Sequence, residues 1–188
     1  MSDTAQTVFV SYRRSVSSFI ARAVFNDLVH HGFDVFMDVE SIDAGTFDII
    51  IRSQIAARAH FLVILTPGSV ERFMQPEDWL RREIEYAIDL QRNIIPVLVN
   101  GFSFDAHTAY FTGKLAEPRR YNAITLYHEY FDEAMARLGV CAGLCGARRG
   151  AIADLEQYLD LRDEPPFVRR MGVVKMIYTL KEAIGDTA

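Results

Sequence analysis

His60-Phe61-Leu62-Val63-Ile64-Leu65 runs straight into Thr66-Pro67-Gly68-Ser69. An almost unbroken apolar run halted by Pro and Gly reads as a strand covered on both faces, as in a parallel sheet. A half-solvated strand would alternate apolar and polar residues instead. Asn93-Ile94-Ile95-Pro96-Val97-Leu98-Val99 repeats the pattern. Between the two lies Asp78–Leu90, where Leu80, Ile84, Ala87 and Ile88 recur at helical spacing. Strand, helix, strand is the repeating unit of a doubly wound fold.

Toward the N-terminus the alternation continues. Thr7–Tyr12 is β-rich, and Ser15 is placed to cap a helix with Phe19, Ile20, Val24, Leu28 and Val29 on its apolar face. Gly32 ends that helix as a left-handed residue. Phe33–Asp38 is the second strand, Val39–Gly45 a loop, and Thr46–Arg58 a helix. Toward the C-terminus, Gly101–Arg120 is irregular with a short helix near Tyr110–Leu115. Asn122–Leu126 makes a fifth strand, and Tyr130–Leu138 a helix. The expectation is a five-stranded parallel sheet with helices on both faces.

From Gly139 onward small residues (Gly139, Ala142, Gly143, Gly146, Ala147) permit close helix contacts. Ala151–Leu161 and Val168–Ile184 look helical on either side of Asp163-Glu164-Pro165-Pro166. The expected organisation is a domain over residues 7–138 and a helical C-terminal extension over 139–188.

The chain has 188 residues, of which 50% are hydrophobic and 24% charged, enough for a sizeable core. A net charge of -5 argues against nucleic acid as the main partner. No apolar run reaches membrane-spanning length and the first residues do not resemble a signal peptide, so a cytoplasmic location away from membranes is the expectation. Cys141 and Cys145 have no His or Cys cluster near them, which argues against a metal site. His128 reads as a surface residue.

In open α/β sheets, ligands sit at the carboxyl ends of the strands, near the point where strand order reverses. That rule selects Tyr12-Arg13-Arg14, the Glu40–Phe47 loop, the Thr66–Ser69 turn and the mouth of the helix carrying Trp79 and Glu83. Trp79 and Glu83 are four residues apart and share one flank of their helix, with Tyr86 nearby. Phosphate loops of the G-x-G-x-x-G and G-x-x-x-x-G-K-[ST] types are missing, as is a G-x-S-x-G elbow. The strand ends also lack the acidic residues of a phosphate receiver.

What the chain does resemble is a Toll/interleukin-1 receptor (TIR) domain. The likeness rests on Val8-Phe9-Val10-Ser11-Tyr12-Arg13-Arg14, on Gly32-Phe33-Asp34-Val35-Phe36-Met37-Asp38-Val39-Glu40 and on Ala44-Gly45-Thr46-Phe47. It continues through Leu65-Thr66-Pro67-Gly68-Ser69, Asp78-Trp79 with Glu83-Ile84, and Asn93-Ile94-Ile95-Pro96-Val97. These motifs are most similar to the branch of the family that cleaves NAD+ in animal axon degeneration and in bacterial anti-phage defence.

The resemblance implies a flavodoxin-like TIR fold and NAD+ as substrate rather than cofactor. It implies Glu83 as the catalytic carboxylate, with Trp79 one turn before it. Arg13 and Arg14 match positions near the nucleotide, Asp43 a loop acid and Phe47 an aromatic after the loop glycine. With Tyr12 at the strand end, these are the candidate substrate-binding residues. Self-association through TIR–TIR contacts and a separate effector or activator protein are further implications. Leu126 and Tyr127 stand where the animal enzyme has a Trp in the fifth strand, which leaves both linear and cyclic ADP-ribose open as products. The alternative function is a non-catalytic adaptor working through TIR–TIR contacts; many such members lack the glutamate.

Overall fold

The structure, a computed structural model, describes residues 6–37 and 44–141. In chain order they form β1 (Thr7–Tyr12), α1 (Arg14–His30), β2 (Asp34–Met37), α2 (Ala44–Ala57), β3 (His60–Leu65), α3 (Trp79–Asp89), β4 (Asn93–Val99), β5 (Ile124–Leu126) and α4 (Phe131–Cys141). The strands make one sheet in the order β2-β1-β3-β4-β5, every neighbouring pair parallel. This is the flavodoxin-like order, with its switch point between β1 and β3. The chain divides into two compact units, Met1–Tyr127 and His128–Ala188; the sheet with α1, α2 and α3 belongs to the first, α4 to the second.

All six residues of β3 are buried, as the apolar run requires. Alternation along the strands sorts their side chains by face. Phe9, Phe61, Val63 and Leu65 share a core with Ile51 and Ile55 of α2 and Leu80, Ile84 and Ala87 of α3. Phe9 and Phe61 are register partners, and their rings stack with centroids 5.5 Å apart. Val8, Val10, Leu62 and Ile64 point to the other face. The step from β1 to β2 runs opposite to every later step along the sheet, so right-handed crossovers put α1 on that second face.

Several boundaries differ from the sequence expectation. Ser15 does not cap α1: the N-cap residue is Arg13, with no side-chain cap. Instead the Ser17 hydroxyl donates to the Arg13 carbonyl at 2.9 Å, and Ser17 leaves helical geometry at φ -131°. The buried stripe of α1 is Ser17, Ala21, Val24 and Leu28. Phe19, expected inside, is 93% exposed, and Val29 is also exposed. The stripe opens on the small Ser17 and Ala21 and continues with Val24 and Leu28.

Gly32 behaves as expected, at φ +84°. Its amide bonds to the Val29 carbonyl and that of Phe33 to the Leu28 carbonyl, both at 3.0 Å, which completes a Schellman cap. Helix α2 begins at Ala44 and takes Gly45 into its first turn rather than leaving it in the loop. The irregular stretch holds two 3-10 helices, Thr108–Tyr110 and Gly113–Arg120, in place of one helix near Tyr110–Leu115. The readings for 38–43 and 142–188, including the loop and both extension helices, fall outside the described residues. Among the described residues no helix is long and apolar enough to cross a membrane.

Candidate active site

Asp78 sets the first turn of α3. Its backbone is extended, and its carboxylate accepts a hydrogen bond from the Arg81 amide at 3.0 Å, an N-cap. The same carboxylate takes a two-pronged grip from Arg13, Nη1 to Oδ2 at 2.6 Å and Nη2 to Oδ1 at 3.0 Å. Arg13 also donates through Nε and Nη2 to the Ser69 carbonyl, at 3.0 and 2.8 Å. The end of β1, the turn after β3 and the start of α3 are thereby tied together at the switch point. Asp78 is buried and Arg13 nearly so, with 2% and 13% of the side chain exposed.

Arg13, expected beside the nucleotide, is thus occupied inside the protein, and four of its five N–H donors are accounted for. A pyrophosphate would have to compete with Asp78 for it. Arg14 opens α1 and is exposed; Tyr12 ends β1 half-buried, in register with Ile64, and alternation turns it away from the face that carries Glu83. Asp43 lies outside the described residues. Phe47 lies in α2, and its side chain is outside them as well.

Trp79 and Glu83 do come together. They line a shallow cleft between α2 and α3, shared with Asp48, Arg52, Arg82 and Tyr86 and lined also by Ile51 and Ile55. The Glu83 carboxylate accepts a hydrogen bond from the Ser11 hydroxyl at 2.5 Å. Trp79 is 38% exposed, and the Arg82 guanidinium lies over its ring, 4.8 Å from the centroid. The indole face of Trp79 is therefore already presented to a planar cation.

Arg82 also reaches Asp48 at 3.1 Å, and Arg52 reaches the other oxygen of Asp48 at 3.0 Å while covering the Tyr86 ring at 5.1 Å. This network ties α2 to α3 along the rim of the cleft. The hydrogen bond from Arg52, aided by the charge of Arg82, holds the Asp48 carboxyl below its ordinary value of 3.8 despite some desolvation. A folded-state value that is depressed adds stability above the ordinary value and loses it as pH falls through the lower one. Asp48→Asn is expected to cost less than about 1 kcal/mol at neutral pH, because solvent screens a partly exposed carboxylate. The deficit should fade below pH 3.8 in urea unfolding measured across the acid range.

Sequence reasoning did not single out Ser11, Asp48, Asp78 or Arg82 for the site. Strand alternation carried a signal for Ser11: two residues past Phe9, it must face α2 and α3. Asp78 had the N-cap position before Trp79. Nothing local marks Asp48 or Arg82, whose contact spans 34 residues of sequence. Among the described residues no group of three or more His, Cys, Asp or Glu lies together as metal ligands would.

A family model described as TIR domain matches residues 8–138. The chain is similar to the NAD(+) hydrolase tir-1 of Caenorhabditis elegans, 34% identical over 134 residues, covering 70% of this chain and 14% of that protein. It is also similar to the NAD(+) hydrolase sarm1 of Drosophila melanogaster, 35% identical over 138 residues, covering 70% of this chain and 10% of that one. The chain thus spans a small part of these relatives. Among solved structures, the TIR domains of the activated Roq1 resistosome recognising the effector XopQ share the fold. There the TM-score is 0.54 at 14% identity, covering 71% of this chain and 96% of that one.

Proposed function

The chain belongs to the TIR domain family, and from that premise we propose that it cleaves the bond between nicotinamide and ribose in NAD+. The products are nicotinamide and either ADP-ribose or a cyclic isomer. The observation that carries this proposal is the pairing of Glu83 with Trp79 in one cleft at the switch point of the sheet. The relatives named as NAD(+) hydrolases support it.

Nicotinamide in NAD+ is a cationic leaving group and departs as a neutral molecule, so it needs no proton from a general acid. One carboxylate can then suffice where ordinary glycosidases use two. As the bond breaks, positive charge develops on the ribose. Glu83 faces that charge and binds the transition state more strongly than the ground state. Trp79 takes the pyridinium by cation–π attraction, as it now takes Arg82. Water then captures the ribosyl cation to give ADP-ribose and a proton, or a ring nitrogen of the adenine captures it to close the cyclic isomer.

The cleft between α2 and α3 encloses little space of its own, whereas small-molecule pockets bury most of their ligand. NAD+ is a large ligand, so we take self-association to complete its binding surface. A separate effector or activator and a place in bacterial anti-phage signalling rest on the sequence motifs alone.

The leaving-group chemistry supplies the test. The protein is expected to release nicotinamide from NAD+ and to leave NADH intact, because the reduced ring is uncharged and departs poorly without an acid. Cleavage of both would require a general acid that this mechanism lacks; cleavage of neither would contradict the proposal. The adaptor reading has one observation in its favour, the exposed apolar side chains of Phe19 and Val16 on α1, which a partner protein could cover.

A further inference from the structure

Ser11 is the last fully buried residue of β1, 1% exposed. Its backbone is held in a central strand, in register with Val63 of β3. Its neighbour two residues back, Phe9, belongs to the apolar core. A hydroxyl in such a place is costly unless it is bonded. Here its hydrogen goes to Oε2 of Glu83 at 2.5 Å, across 72 residues of sequence, a length typical of a charge-assisted O–H···O⁻ bond.

We infer that Ser11 is a positioning residue for the Glu83 carboxylate, fixing the orientation in which it meets the ribose. The inference rests on the function proposed above. A carboxylate on a helix can turn about its last torsion, and that rotor is broad. A hydroxyl donor anchored to the sheet removes the freedom without neutralising the charge, as a Lys or Arg in the same place would. Ser11 is not required to hold α3 in position. Leu80, Ile84 and Ala87 already bury its inner face, and the Arg13–Asp78 pair fixes its first turn. The arrangement meets the requirement that groups facing a developing charge be oriented beforehand.

The experiment is steady-state nicotinamide release by the full chain and by Ser11→Ala, Ser11→Thr, Glu83→Gln and the Ser11→Ala/Glu83→Gln pair, with thermal melts of each. Ser11→Ala should lower kcat by roughly 10- to 100-fold, with KM within about threefold of wild type. Ser11→Thr, which keeps a hydroxyl, should recover most of that loss. In the Glu83→Gln background Ser11→Ala should change the residual rate little, because the two act as one unit. A Ser11→Ala enzyme that melts like wild type and keeps full kcat overturns the inference and leaves the proposed function standing. The same holds if Ser11→Thr is no better than Ser11→Ala, or if the losses multiply in the pair. Failure of wild type to release nicotinamide, or full activity in Glu83→Gln, overturns the inference together with the function it rests on. Should Ser11→Ala fail to fold, Ser11→Thr decides: wild-type KM with near-wild-type kcat supports the inference, and an unperturbed melt with a collapsed kcat overturns it.

Discussion

Glu83→Gln is expected to reduce nicotinamide release from NAD+ by on the order of 100-fold or more, corresponding to roughly 3 kcal/mol of barrier. The change keeps shape and volume and removes charge. Any loss therefore reports on the electrostatic term rather than on cavity formation or misfolding. The amide can still accept from Ser11, which preserves the geometry while the field at the ribose disappears. Melting should move little, because Glu83 is only partly buried and its helix is anchored by Leu80, Ile84 and Ala87. KM should change less than kcat, since the missing interaction belongs chiefly to the transition state. A parallel loss in KM alone would make Glu83 a binding residue and move the catalytic role elsewhere.

Asp78→Ala is expected to destabilise the fold by about 3–5 kcal/mol, the range for stranding one partner of a buried ion pair. Loss of the α3 N-cap contributes about 1 kcal/mol of that. Against a total stability of roughly 5–15 kcal/mol, the variant should melt about 6–20 °C lower, at about 2–4 °C per kcal/mol. The physical cause is the guanidinium of Arg13, whose side chain is 13% exposed and whose main partner is gone. Replacing both residues with apolar ones of similar size should cost much less than Asp78→Ala, because no unpaired charge remains. Urea unfolding of the single and double variants tests this; an Asp78→Ala protein as stable as wild type would mean that the pair is not holding the switch point.

The centre of the sheet was legible because β3 and β4 are buried on both faces. The continuous apolar runs of His60–Leu65 and Asn93–Val99 have no other common use, and their alternation with helical patterns fixes the architecture. The pairing of Trp79 with Glu83 was legible too, since a spacing of four places both on one flank before any tertiary contact is known. Helix α1 was harder. Pattern reading weights residues by hydrophobicity and so chose Phe19, whereas the helix leaves regular geometry at Ser17, and Ser17 and Ala21 went inside instead. Arg13 shows the other limit. Residue type and strand-end position suit a phosphate ligand, but its partner Asp78 lies 65 residues away, and only folding reveals that the charge is spoken for. Ser11 was hidden for a related reason: one hydroxyl in an apolar strand has no meaning until the group opposite it is known.

The most direct test of the central claim is NAD+ conversion by the purified chain over a rising series of protein concentrations, with products separated by chromatography and Glu83→Gln run alongside. The expected result is nicotinamide in equal amount to ADP-ribose or a cyclic isomer, a specific rate that climbs with concentration, and little product from the variant. Equal release by both proteins, or no nicotinamide from wild type at any concentration, would contradict the assignment of this cleft as an NAD+-cleaving site.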